Sequence, residues 1–295
     1  MSKLLDPKVM MAIKDLPLAA KTTIEGFMSG INKSAVKGPG MEFSQYRSYQ
    51  PGDDLRLLDW KMFARSDRYY IRESEVETNI SLRLVLDASA SMNHQDGAFT
   101  KIDYARYLAA SLAYLGNLQG DAVGLHVLHQ NDVYTLPTKS DFQHLSRLFF
   151  QLEQIKPEGR FTDAQIYKKL YAGAAQKELT IVITDLYQSE GDIFNCLDVV
   201  NSLKHEVIVF HLMSRNELEL DYKGYSSFED LETGAKVEVD QSALRTTYQS
   251  RLAAYLSEVR QKALNKQIYY RMLCSDEPLD QAIRDFLNQR KKLKV

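Results

Sequence analysis

The sequence predicts an α/β protein built on a doubly wound, mostly parallel sheet with helices on both faces. Beyond residue 80, short runs of β-branched and apolar residues alternate with longer amphipathic stretches. Several of the short runs are almost continuously hydrophobic, as strands are when helices cover both faces of a sheet. The first of them, "LRLVLDASASM", stops at a carboxylate and continues in small and hydroxylic residues, the kind of loop that carries ligands at the carboxyl edge of such a sheet.

The first 37 residues have apolar side chains at helical spacing, interrupted by Asp6, Lys8, Lys14 and Asp15. No run is long enough for a signal peptide or for the roughly 20 apolar residues of a membrane-spanning helix, so a cytoplasmic location is expected. Residues 38 to 78 are rich in Arg, Asp and aromatics and have poor periodicity. The expected organisation is a helical and Arg/Asp-rich segment over 1–79 packed on a main α/β domain over 80–295. No internal repeat or low-complexity tract interrupts it.

Strands are predicted at 80–86, 122–129, 132–136, 179–184, 206–212 and 267–273. Helices fill the gaps at about 101–118, 140–153, 163–175, 191–203, 241–265 and 277–291. The connection "HQND" is too short for a helical crossover, so the strand after it should pair antiparallel at an edge. "YSSFEDLETGAKVEVD" carries a turn signal between two alternating stretches and predicts a small β-hairpin insertion before the long helix.

Composition narrows the function. With 295 residues, 44% of them apolar, the chain can bury a real core, and a formal charge of -2 gives no global field for nucleic acid. The two cysteines, Cys196 and Cys274, lie outside any CxxC or Cys/His cluster and read as reduced buried thiols. The six histidines form no ligand cluster; His94, near the first strand's loop, is the one closest to chemistry.

Asp87, Ser89 and Ser91 leave the end of the first strand, with only Ala88 and Ala90 between them, and Asp185 ends "LTIVITD". If these two strands are neighbours at the switch in strand order, their loops meet. "EGRFTD" adds Thr162 and Asp163 ahead of a helix. Carboxylates with hydroxyls form a hard, all-oxygen set suited to Mg²⁺ or Mn²⁺ rather than zinc. Six-coordination would leave a position for a partner's carboxylate. The plainer reading is that Ser89 and Ser91 cap a turn and Asp87 ends a strand.

"DASASM" with Thr162 and Asp185 resembles the metal-ion-dependent adhesion site of von Willebrand factor A domains. The resemblance implies one divalent cation held by Asp87, Ser89, Ser91, Thr162 and Asp185, although "GRFTDA" lacks the glycine-rich approach usual before the threonine. "GPGMEFSQYRSYQPGDDLRLLDWKMFARSDRYYIRESEVET" and the closing "EPLDQAIRDFLNQR" resemble the bacterial domain of unknown function family fifty-eight, which joins such a segment to a von Willebrand A-like domain. That resemblance implies partnership with MoxR-type AAA+ ATPases in assembling or activating protein complexes.

Within the segment, "QPGDD" reads as a turn, and Arg47, Asp53, Asp54, Arg56 and Trp60 are candidates for partner binding. An ion-pair network that ties the segment down, with Trp60 as apolar anchor, is the preferred reading. No GxSxG elbow and no GxxxxGK[ST] loop occurs, and a haloacid-dehalogenase-type acid/base carboxylate is replaced by Ser89. The expected function is a non-catalytic, metal-dependent protein-binding module. The alternatives are a Mg²⁺-dependent phosphohydrolase at the same site and a metal-independent scaffold.

Overall fold

The computed structural model describes residues 6–34, 45–50, 53–55, 58–73, 79–171, 178–187, 192–203, 205–220 and 225–293. They fall into two compact units: residues 31–78 form one, and the residues up to 30 join 79–293 in the other.

The larger unit is organised by a six-stranded sheet of β3 (Ser81–Asp87), β6 (Ala122–Leu128), β7 (Val133–Lys139), β8 (Leu179–Thr184), β9 (Glu206–Met213) and β12 (Tyr269–Cys274). Its order is β12-β9-β8-β3-β6-β7. All neighbours run parallel except the edge pair β6/β7, which is antiparallel as the four-residue connection demands. β3 is paired on one side to β6 and on the other to β8, and the order reverses there. Each of the six strands expected from the sequence is present, within about three residues of its expected ends.

Alternation along β3 divides the core. Leu82 faces helix α4 (Lys101–Leu118), whose Gly116 sits so close that an added Cβ would lie 3.0 Å from Leu82 Cδ2. α4 starts at a capping box between Thr100 and Asp103 and buries Ala109, Ala110 and Ala113; small side chains let it lie close on the sheet. On the other face Val85, Val182 and Val209 pack with Cys196, Leu197 and Val200 of α7 (Asp192–Ser202) and Val259 and Ala263 of α9 (Gln241–Asn265). Both cysteines are buried and unpaired.

The rest of the larger unit closes around this frame. In α1 (Pro7–Ala12) and α2 (Leu16–Ser34), Met10, Leu16, Ile24 and Phe27 are buried, and the Tyr107 hydroxyl of α4 donates to the Ile13 carbonyl at 2.9 Å. α5 (Phe142–Gln154) packs against α4, and α6 (Ala164–Tyr171) against α7. In α10 (Asp280–Leu293), Arg290 forks onto buried Asp121 at 2.5 and 2.6 Å, and Asp121 also accepts the Ile80 amide ahead of β3. Two strands, β4 (Gln95–Asp96) and β5 (Phe99–Thr100), and a five-residue helix, α8 (Arg215–Glu219), were not foreseen. The expected hairpin is β10 (Tyr225–Glu229) with β11 (Lys236–Asp240). No described helix is long and apolar enough to cross a membrane.

In the smaller unit, β1 (Gln45–Ser48) pairs antiparallel with β2 (Tyr70–Glu73). α3 (Trp60–Ser66) begins at Asp59, whose carboxylate accepts the Lys61 and Met62 amides at 2.9 Å. The sequence reading of Trp60 as an apolar anchor is corrected here: it is 62% exposed, touching the Phe63 ring edge-on, whereas Leu58 and Ile71 are buried. Trp60 opens the helix, so its side chain projects from the first turn instead of inward. Asp53 accepts the Gln50 amide at 2.8 Å, and Asp54 is exposed. Pro51, Gly52 and Arg56, and the side chain of Arg47, lie outside the described residues.

Candidate metal centre

β3 and β8 end side by side, and their carboxyl ends carry the two predicted aspartates into one place. Asp87 and Asp185 are buried, as are Ser89 and Ser91. A short 3-10 turn over Ala90–Asn93 follows β3 and brings the serines back over the strand end. One Asp87 oxygen accepts the Ser89 amide at 2.9 Å; the other accepts the Thr184 hydroxyl at 2.6 Å. Ser89 and Ser91 hydroxyls share a 3.0 Å hydrogen bond, and Ser91 donates to Asp185 Oδ1 at 3.1 Å. Ser89, Ser91 and Asp185 are therefore linked oxygen to oxygen, and Asp87 joins them through the Ser89 amide.

Thr162 is positioned differently. It is fully buried, and its hydroxyl donates to the His129 carbonyl at 2.6 Å. That bond uses its proton and leaves lone pairs for a cation. Its loop docks along the first one, with Ala90 N donating to the Gly159 carbonyl at 2.9 Å and Glu158 N to the Ala88 carbonyl at 3.0 Å. Asp163 instead accepts the Gln165 amide at the start of α6.

Four further residues belong to the site. Thr184 orients Asp87 while accepting the Leu186 amide at 3.0 Å. The Lys101 ammonium, buried at the start of α4, bridges Asp185 at 3.0 Å and Glu217 at 2.7 Å. Burial opposes its charge, but the two carboxylates outweigh that and hold its pKa above the ordinary lysine value. Glu217 is fixed in turn by the Ser214 amide at 2.8 Å, and Tyr248 of α9 donates to its backbone carbonyl. Glu232 lies in the turn of the β10–β11 hairpin, near enough for the charges of Asp87 and Asp185 to act on its carboxyl.

The sequence held signals for some of these. Thr184 directly precedes a predicted ligand, and "SRNE" is a capping-box pattern that marks Glu217 at a helix start. Nothing local marks Lys101 or Glu232, whose importance depends on tertiary contacts. His94, the histidine nearest the loop, bonds Asn216 at 2.9 Å.

The electrostatics ask for positive charge. Burial, reinforced by the Asp185 charge, pushes Asp87 up to about 6 against the Thr184 and Ser89 hydrogen bonds. Burial and the charges of Asp87 and Asp185 push Glu232 up to about 7. Lys101 is already shared between two carboxylates. One Glu232 oxygen, Oε1, is buried without a hydrogen-bond partner, which is costly for a carboxylate unless a cation faces it.

Among the described residues no three His, Cys, Asp or Glu side chains gather as a metal cluster of their own, so a cation here would depend on the hydroxyls. The donor set is of the hard oxygen type that Mg²⁺ and Mn²⁺ take. A cavity of about 420 Å³ opens beside it, lined among others by Ser91, Lys101, Asp185, Glu217, Asp230 and Arg251.

The family model described as protein of unknown function DUF58 matches residues 45–257. Uncharacterized proteins of Mycobacterium bovis and Mycobacterium tuberculosis are 26% identical over 260 residues, covering 86% of this chain and 81% of theirs. Among solved structures, the conserved hypothetical protein BatB from Bacteroides thetaiotaomicron aligns with a TM-score of 0.47 at 19% identity, covering 72% of this chain and all of that one. The SpRpn10 VWA domain aligns at 0.40 with 11% identity, covering 72% of this chain and 95% of that one.

Proposed function

The chain belongs to the family of proteins of unknown function DUF58, and on that premise we propose that it is a metal-dependent protein-binding module rather than an enzyme. The observation that carries the reading is the convergence of Asp87, Ser89, Ser91 and Asp185 at the switch in strand order, bonded to one another and buried. Asp87 and Asp185 would supply charge to one Mg²⁺ or Mn²⁺, Ser89 and Ser91 neutral oxygens, and Thr162 a further hydroxyl from the neighbouring loop. Bound there, the cation would supply a Lewis-acidic position able to take a carboxylate from another protein.

This chain's own residues set the terms of that exchange. Thr184 and the Ser89 amide fix the Asp87 carboxylate. Lys101 neutralises part of Asp185 and leaves Asp87 for the ion. The partner implied by the family resemblance is a MoxR-type AAA+ ATPase, with this chain as its adaptor or co-chaperone; a cytoplasmic setting belongs to the same reading.

Titration calorimetry of Mg²⁺ and Mn²⁺ into the full chain and into Asp87→Ala, with and without that ATPase, tests it. Binding that needs Asp87 and tightens with the partner is expected. Metal binding that survives Asp87→Ala, or none in wild type, would overturn it.

A further inference from the structure

We propose that the cavity beside Asp185 is a docking pocket for a partner segment in which a bulky apolar side chain lies next to a carboxylate. The inference goes beyond the metal reading and needs no bound ion.

One part of the lining is apolar. Leu220, just past α8, and Phe228 and Leu231 of the β10–β11 hairpin contribute to it, with the rings of Tyr187 and Tyr248 alongside. A volume of about 420 Å³ is within the range of ligand sites. The apolar surface also continues outward, since Tyr187 is 48% exposed and Leu231 46%. A free small molecule would leave that rim in water, whereas a peptide entering the cavity covers it.

The polar groups sort by hydrogen-bonding role. Every carboxylate in the lining already accepts donors from within the chain. Asp185 takes the Ser91 hydroxyl, the Tyr187 amide and the Lys101 ammonium. Glu217 takes Lys101 and the Ser214 amide. Asp230 takes the Tyr187 hydroxyl and the Glu232 and Thr233 amides, and Glu229 pairs with Lys236 at 3.3 Å. Thr247 and Arg251 differ: both line the cavity, and neither side chain makes a hydrogen bond or ion pair among the described residues. They stand four residues apart on α9, so they share one face of the helix a turn from each other.

The open positions in the lining are therefore donors. A guanidinium with a hydroxyl one turn away suits a carboxylate. Arg251 is also exposed, which puts this anchor where water screens the carboxylates of the lining. A cationic ligand would meet Arg251 and find those carboxylates already engaged. The ligand that satisfies both parts of the lining carries its apolar group inward and its carboxylate to Arg251.

The test is calorimetric titration of the full chain, in EDTA, with short acetylated and amidated glycine peptides that hold Phe and Asp side by side, in either order. At least one of the two orders should bind wild type. Replacing its Phe by Ala, or its Asp by Asn, should weaken binding about tenfold or more. Arg251→Glu, whose native side chain is exposed and holds nothing in the fold, should weaken the Asp peptide about tenfold and leave the Asn peptide unchanged. No binding to wild type, equal binding of the Phe and Ala peptides, or an Arg251→Glu effect that ignores the peptide's charge would overturn the inference. So would N-acetylphenylalanine binding as tightly as the peptide, which would make the cavity a small-carboxylate site. Because EDTA is present throughout, each outcome stands whatever the Mg²⁺ and Mn²⁺ titrations show for the metal reading.

Discussion

The Thr184 hydroxyl lies 2.6 Å from Asp87 Oδ2 and donates to it, while its own oxygen accepts the Leu186 amide. One side chain at the end of β8 therefore sets the orientation of the aspartate at the end of β3. Thr184→Val keeps the shape and removes the donor. Mn²⁺ affinity by calorimetry should fall about tenfold, as for other groups that orient a metal ligand, with the midpoint of thermal unfolding lowered by only a few degrees.

Asp87→Asn separates the metal's contribution from the fold's. Chelation with EDTA should lower the unfolding temperature of wild type and leave that of Asp87→Asn unchanged, because only wild type gains from a bound ion. In EDTA the variant should be at least as stable as wild type, since one of two facing buried carboxylates has been neutralised. Differential scanning calorimetry with and without Mg²⁺ reads both effects.

Lys101 has a 3% exposed side chain and bridges Asp185 and Glu217. Lys101→Met leaves both carboxylates without their cation, and urea unfolding should show a loss of about 3–5 kcal/mol. Adding Glu217→Gln should recover part of it, which distinguishes charge imbalance from lost packing.

His126 gives the fold an acid-sensitive element. Burial, with the Arg83 charge adding to it, lowers its pKa from 6.5 to about 3. A histidine depressed in the folded state contributes stability that is complete above its unfolded pKa and is lost as pH falls through the window toward its folded one. Between pH 7 and pH 5, wild type should lose about 2 kcal/mol more than His126→Gln, measured by urea unfolding at each pH.

The sheet was legible because its central strands are apolar on both faces and several of its helices are amphipathic, and the short link before β7 announced the antiparallel edge. Asp87 and Asp185 were legible because both terminate apolar runs, and a doubly wound order brings such ends together. Local pattern cannot report a residue that matters through a distant contact. Lys101 reads as an ordinary first-turn lysine, yet its partners are 84 and 116 residues away. Glu232 reads as turn polarity, and only the hairpin's fold-back shows where it points. Trp60 misled because a large aromatic among charges suggests an anchor, while its place at a helix start turns it outward.

The Arg290–Asp121 pair also bears on how the chain is made. The guanidinium is encoded 169 residues after the carboxylate it neutralises, so at roughly 5–20 residues per second the ribosome takes about 10–30 seconds to supply it. Until then the nascent domain holds the start of β6 next to a carboxylate awaiting its charge partner, and until residue 274 is added β9 lacks its β12 neighbour. Completion of the sheet is therefore a late event in synthesis, and a stall before residue 269 would leave an unfinished edge open to chaperones and to aggregation.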